Sequence, residues 1–574
     1  MRRNRTAGGF RRGAVLAATG ATALAMVATG AASSGASAAH RTPKAHHAKS
    51  AGSGSITVAL DETFPGFNVL TSADNNYDLQ QLIENVWPMT FITTPKLTLV
   101  PNTQLLTSVT QTSKSPQTIV YDINPKATWS DGVPITAADF IYNWHAQSGL
   151  AKYKDKGGKP FDVASTAGYN QIKSVTGSNG GRTVTVVFKT PFADWKSLFA
   201  PIAPAHIAEK ASWNTGFNNI KNVVSGSWYT ISGYKQNQFL TLKANPKYWS
   251  TPAKIKTVNF QWVSSDDSEP TGLQNGELNV IAPASVSESL ILQANRVPNT
   301  VHQTIPGLEF EHFDFNGANP YLAKLKVRQA IAYGTNRPQI IADTVGPILR
   351  STKPLGNRIF LPNQPGYVNN GKAYDKQNVQ KARSLLESLG FKLVGSYFEP
   401  NYGPEAGQPL TFTIQSTTGN AIRSETEQLF QAQMAQVGIK INIQNYDAAT
   451  LFGKNLPGGQ YDIGEFAWVA TPFPSGNQSI YCSYTLGNAC GSNWIHFANK
   501  TVDALMAAGS SATSPQAEIN DYNRADAVLW DQMATLPLYQ KPQYYAWSKN
   551  IQGIQPNASN SGITWNLPDW SLKG

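Results

Sequence analysis

Charge is scarce in this sequence. Asp, Glu, Lys and Arg make up 14% of its 574 residues, against roughly 25% in an ordinary soluble domain. That shortage excludes a long coiled coil and charge-driven disorder. Cysteine is scarcer still: Cys482 and Cys490 are the two present, so none precedes position 482 and a lipid-anchored N-terminal cysteine is not expected. Histidine is sparse too. Beyond the first 50 residues it occurs at His145, His206, His302, His312 and His496, never spaced as a local metal pair, and these read as surface or satisfied core residues. There is no Gly-x-Ser-x-Gly elbow, no His-Glu-x-x-His, no Gly-Lys-Ser/Thr phosphate loop and no Gly-x-Gly-x-x-Gly after a strand. Acidic pairs such as Asp266-Asp267 lie in polar loop sequence. Nothing points to an enzyme, a metal or a cofactor.

What is present is apolar and aromatic. Hydrophobic residues are 41%, with 14 Trp, 22 Tyr and 24 Phe to build cores. The length fits three to four domains at about 150 residues each. The net charge of +11 is concentrated at the start. Five arginines and no acid lie in residues 1–38; with Arg41, Lys44 and Lys49 also set aside, the rest retains +3. A nearly balanced body gives no reason to expect nucleic acid.

Residues 1–38 read as a signal peptide: an Arg-rich start, an apolar run from Ala14 to Ala28, and small residues ending at Ala36-Ser37-Ala38. The run is interrupted by Gly20, Thr22, Thr29 and Gly30 and falls short of a membrane span. Cleavage is expected near Ala38-Ala39. Arg11-Arg12 leaves the twin-arginine route open beside the general secretory one. Residues 39–55, with His40, His46 and His47, read as a flexible leader. For an exported chain, a disulfide between Cys482 and Cys490 is the leading reading. A catalytic thiol would need a nearby base, and one Cys pair cannot hold a structural zinc.

The remainder alternates strand-like and helix-like segments. Ile56–Leu60, Gln117–Ile123 and Arg182–Phe188 read as strands, the last two as hairpin strands. Thr136 is placed to cap a helix with Asp139 three residues on, and Asp375 to cap another whose Val379, Ala382, Leu385, Leu386 and Leu389 form a stripe. Leu410–Ile414, a helix carrying Ile422, Leu429, Phe430, Met434 and Val437, and Ile439–Ile443 make a strand–helix–strand unit. Such a unit requires a parallel sheet, hence an α/β architecture.

One set of segments resembles a known family. Ala127-Thr-Trp129-Ser130-Asp131-Gly132-Val-Pro134-Ile-Thr136-Ala137-Ala-Asp139-Phe140 resembles the signature of the extracellular solute-binding proteins of family 5, the dipeptide/oligopeptide-binding components of ABC importers. Further matches follow in order: Asn245-Pro246-Lys-Tyr248-Trp249; Gly276-Glu277-Leu278-Asn279, with Asn279 where Asp is usual; Phe315-Asn316; Val327-Arg328-Gln329-Ala330; Asn336-Arg337, for a usual Asp-Arg; and Tyr461-Asp462 before Trp468. The resemblance covers roughly residues 56–555.

It implies an α/β, two-lobe periplasmic-binding-protein-like clamp (type II, cluster C) with an extra subdomain in lobe one. Lobe one is expected at 56–314 and 537–574, its subdomain near 97–225, and lobe two at 315–536. It further implies an exported monomer that captures a peptide or other small solute for ABC permease and ATPase subunits, with no chemistry of its own. In peptide-binding relatives an Asp three residues after the late Trp pairs with the ligand's α-amino group; here that position is Thr471, which cannot neutralise a cation. Glu465 or Asp462 could substitute. The run from Trp468 to Pro474 also resembles an actinobacterial branch that includes a cell-wall glycolipid-associated lipoprotein. A neutral oligosaccharide or glycolipid, bound in the cell envelope without transport, is therefore the alternative. The candidate ligand contacts are Trp468, Thr471 and Phe473, with Asn75, Asn76 and Tyr77 after the first strand and Ser416 and Thr417 after the strand 410–414.

Overall fold

A computed structural model describes residues 54–573, except 62, 63, 264, 284 and 285. The signal peptide read at 1–38 and nearly all of the leader lie outside the described residues. Five strands and three helices frame the region between the lobes: β1 (Ser55–Leu60), α1 (Tyr77–Ile83), β2 (Thr300–Phe315), β3 (Thr411–Gln415), α2 (Ala421–Val437), β4 (Ile463–Val469), α3 (Pro515–Asp531) and β5 (Thr535–Ser548). One ten-stranded sheet runs the length of the molecule, in the order 440–443, β3, β4, β2, β5, 280–281, β1, 257–262, 239–244, 229–235. Two strands at its centre are exceptionally long. β2 and β5 pair antiparallel over most of their length and carry the sheet from one set of cores to another.

At one end Val301, Tyr545 and Trp547 pack with Ile56, Val58 and Trp87. At the other, Phe313, Leu536 and Leu538 pack with Phe412, Phe430 and Met434. Opposite that core, Phe310, Phe466 and Trp468 join Tyr481, Leu505 and Leu529. The molecule thus has two α/β lobes, with apolar layers on both faces of the shared sheet.

Local signals account for many elements. Thr136 and Asp139 form the expected capping box at the head of the helix Ala137–Gln147. β3 and the strand Lys440–Ile443 are parallel, joined through α2, which ends at Gly438 with φ of 98°. The strands Gln117–Ile123 and Thr183–Phe188 are antiparallel neighbours, but each belongs to its own hairpin, with 106–114 and 172–178 respectively. One cap differs from expectation. Asn378, not Asp375, caps the helix Val379–Glu387, because Asp375 is held by the buried Arg337 guanidinium at 3.0 Å. The disulfide is present: Cys482 and Cys490 are joined with a Cα–Cα distance of 5.6 Å, and both are buried. Among the described residues no helix is long and apolar enough to cross a membrane.

Candidate ligand cleft

The lobes meet where the β2–β5 ladder breaks. Pro306 faces Pro542, and the next pair is Phe310 with Gln540, so three residues on β2 oppose one on β5. A proline has no N–H to give a ladder, so the sequence interrupts pairing on both strands at one level. Side chains fill the break. Gln540 Nε2 donates to Gly307 O and to Asn363 Oδ1, and Asn363 Nδ2 donates to Pro306 O at 3.1 Å. Glu309 and Lys541 pair at 2.7 Å. On the lobe-one side, the Tyr545 hydroxyl lies 3.0 Å from Gln543 Oε1, with Tyr77 as a further hydrogen-bond partner.

Behind this floor, between β2, β4 and α2, lies a buried charged group. Arg423 reaches Glu311 at 2.9 Å and Thr417 Oγ1 at 2.8 Å. Burial pushes the Glu311 carboxyl up, but Arg423, with Lys541, outweighs it and holds Glu311 below the usual carboxylate range. Glu465 is fully buried beside them. Burial first, then Glu427 and Glu311, push its carboxyl well above the usual range, toward the protonated form. Glu427, mainly by burial, is pushed up to about 7. One guanidinium thus faces three carboxyls, with Glu311 held toward its charged form and the other two pushed toward their protonated forms. Ser416 joins this group by donating to Glu465 O at 2.9 Å.

The structure therefore brings Ser416, Thr417 and Glu465 together. Thr471 and Phe473 form a separate turn: the Thr471 hydroxyl donates to Phe473 O at 2.9 Å, and its backbone carbonyl accepts from Gln364 at 2.9 Å. That turn leads into Ser475, whose N–H donates to Asp194 of lobe one at 3.0 Å. Trp468 is 1% exposed and sits in an aromatic cluster with Phe466, Trp494 and His312. Asn76 spends its side chain capping α1, and Asn75 accepts from Gln80. Tyr77 stands apart from its two neighbours, beside the crossing strand. Asp462 serves the lobe-two scaffold, accepting from Thr413 N and Asn319 Nδ2, both at 2.9 Å.

Sequence reasoning missed Glu309, Lys541, Glu311, Arg423 and Asp194. Each lies outside the family-like motifs, and its partner is distant in the chain; a pairing over 112 residues, as for Glu311 and Arg423, leaves no local signal. Two cavities are also present. One of about 550 Å³ borders the crossing, walled by Pro306, Pro354, Pro362, Asn363 and Gln540. A polar one of about 350 Å³ opens beside Asn316, Gln415, Tyr461 and Asp462. None of the eight ligand contacts expected from the sequence lines either.

Two α/β lobes on a shared sheet, joined by an interrupted strand pair and meeting across a polar seam, define a two-lobed solute-binding protein of the periplasmic-binding class. The chain belongs to the bacterial extracellular solute-binding proteins, family 5, whose middle-region family model matches residues 100–489. The oligopeptide-binding protein OppA of Mycobacterium tuberculosis is 28% identical over 495 residues, spanning 85% of this chain and 80% of OppA. The probable monoacyl phosphatidylinositol tetramannoside-binding protein LpqW of the same organism is 26% identical over 403 residues, 67% of this chain and 60% of LpqW. Among solved structures, the periplasmic EDTA-binding protein EppA superposes with a TM-score of 0.83 at 26% identity, covering 91% of this chain and 97% of EppA. AppA of Bacillus subtilis, in complex with a nonapeptide, shares the fold with a TM-score of 0.72 at 20% identity, covering 91% and 99%.

Proposed function

We propose that this protein is exported, captures a peptide-like solute between its lobes, and delivers it to the permease and ATPase subunits of an ABC importer. It acts as a monomer, without chemistry of its own and without nucleic acid. Relatives named for oligopeptide binding support the solute class. The lobe division expected at 314/315 and 536/537, with the subdomain near 97–225 in lobe one, is moved in this reading to the broken ladder, because Phe310, Phe313, Leu536 and Leu538 pack into the cores of lobe two. Bending is placed at the broken ladder around Pro306 and Pro542.

The observation that carries the finer reading is the charge balance of the seam. Glu309 is paired with Lys541, Glu311 with Arg423, and the Glu465 carboxyl is pushed toward its protonated form. Thr471 offers a hydroxyl already engaged by its own turn. Among the described residues at the strand crossing, an ammonium meets only carboxyls that are already paired or pushed toward the protonated form, and burying an unpaired ion costs several kcal/mol. The favoured solute is therefore a peptide with a blocked or neutral N-terminus. A neutral oligosaccharide or glycolipid headgroup satisfies the same charge argument, and the likeness to LpqW favours it as the second reading.

Thermal shift followed by calorimetry separates these readings. The probes are matched free-amino and N-acetylated tripeptides and pentapeptides, beside mannose oligosaccharides. A ligand at 100 times its Kd adds about 2.7 kcal/mol of stability. Binding of acetylated peptides supports the proposal; binding of oligosaccharides alone replaces it with the envelope reading.

A further inference from the structure

The seam contains a second acidic contact, far from the strand crossing. Asp194 sits on the loop following the lobe-one strand Thr183–Phe188 and is buried. It reaches lobe two: its Oδ2 accepts the Ser475 N–H at 3.0 Å, and the neighbouring Ala193 N–H donates to Ser510 O at 2.9 Å. The carboxyl of Glu518, in the first turn of α3, hydrogen-bonds to the carboxyl of Asp194.

Among the described residues, none supplies this pair with a cation. On the Asp194 loop, Lys196 lies over the Phe91 and Trp195 rings, on the lobe-one side. The segment Pro474–Asn477 presents Ser475, and the helix Lys500–Ser510 presents Ser510. From α3 come Glu518 and Tyr522, whose hydroxyl is pushed well up by burial, then by Asp194 and Glu518. Two carboxyl groups that touch in a half-buried seam cannot both ionise, so the contact exists only while they share a proton.

We propose that lobe closure, and with it solute capture, takes up one proton, held between Asp194 of lobe one and Glu518 of lobe two. The affinity part of this proposal rests on the solute-capture reading; the closure part does not. Burial, then Asp194, push the closed-form Glu518 carboxyl up to about 8. Separated lobes return both groups to water and to ordinary carboxylate values of about 4. The closed form thus has the raised value. Its advantage is complete below the open-form value and fades as pH rises, ending near 8.

Two measurements on the full exported chain test this. The first is small-angle scattering without ligand at pH 5.5, 7 and 9. The wild type is expected to be more compact at pH 5.5 than at pH 9, whereas Glu518→Gln and Asp194→Asn lose the difference. A wild-type radius that does not change with pH overturns the proposal. The second is calorimetry with an N-acetylated tripeptide at pH 7, in buffers of different ionisation enthalpy. Uptake of close to one proton per ligand is expected, with affinity falling by up to about tenfold per pH unit between 6 and 8. Glu518→Gln flattens both. If no peptide binds at any pH but compaction follows pH, the peptide reading fails and the proton link stands. If the peptide binds without proton uptake, the link is overturned and the peptide reading stands.

Discussion

Pro306 and Pro542 face each other across the two strands that join the lobes. Paired prolines remove the ladder's donors at one level on both strands. Gly307 follows Pro306 and touches the opposing strand: a Cβ there would stand 3.0 Å from Gln543 Cγ and 3.1 Å from Lys541 O. Gly307→Ala is therefore expected to destabilise the protein by about 1–3 kcal/mol, the usual cost of crowding a packed site. Urea unfolding of the two proteins at neutral pH checks it. An unchanged midpoint means the strands can part here without cost.

The family resemblance implies that Thr471 occupies the position of an amine-binding acid. Thr471→Asp should shift preference toward free-amino peptides. A charge-assisted hydrogen bond contributes roughly 1.5–3 kcal/mol, about tenfold to hundredfold in affinity. Calorimetry with matched free and acetylated peptides decides it. A wild type that already prefers the free amine would show that Glu465 or another acid accepts the ammonium.

Arg423 and Glu311 are both buried, so their pair is costly to break by halves. Arg423→Met should lose about 3–5 kcal/mol because it strands Glu311, and adding Glu311→Gln should recover much of that. Glu311's carboxyl is held below the usual range, so its share of stability is present above about pH 4.3 and lost as pH falls through the lowered value. Denaturant unfolding of wild type, single and double variants at pH 7 and pH 3 tests both statements. Equal losses in the single and double variants would refute the coupling.

Glu465 titrates with the opposite sign. Its folded-state carboxyl is raised well above the usual range, so stability is greatest at low pH and declines as pH rises. Glu465→Gln keeps the shape and cannot ionise. It should match the wild type near pH 4, at the unfolded-state value, and exceed it increasingly toward pH 9, by at most about 1.4 kcal/mol per pH unit. Thermal melts across that range provide the check, and parallel pH profiles would contradict it.

Much of the architecture could be read along the chain, because the signals concerned span few residues. The Thr136–Asp139 capping box, the turn at Gly438 and the parallel unit around α2 all depend on neighbours within one element or its crossover. The Cys482–Cys490 bridge spans eight positions. Asp375 marks the limit of such signals: a good local cap was overridden by a buried arginine that only the fold brings near.

By itself, the sequence determined the class: α/β alternation, two lobes' worth of core-forming residues, and motifs that mark family 5. Tertiary structure alone decided where the charges are spent. Glu311 meets Arg423 across 112 positions, and Asp194 of one lobe meets Ser475 of the other across 281. Trp468, Asn75 and Asn76 looked available as residue types, yet folding commits the first to a core and the others to a helix cap and its first turn. The physical reason is range. Caps and strand alternation are set by covalent neighbours, whereas a carboxyl's proton depends on whatever burial and charge the chain's return path places beside it.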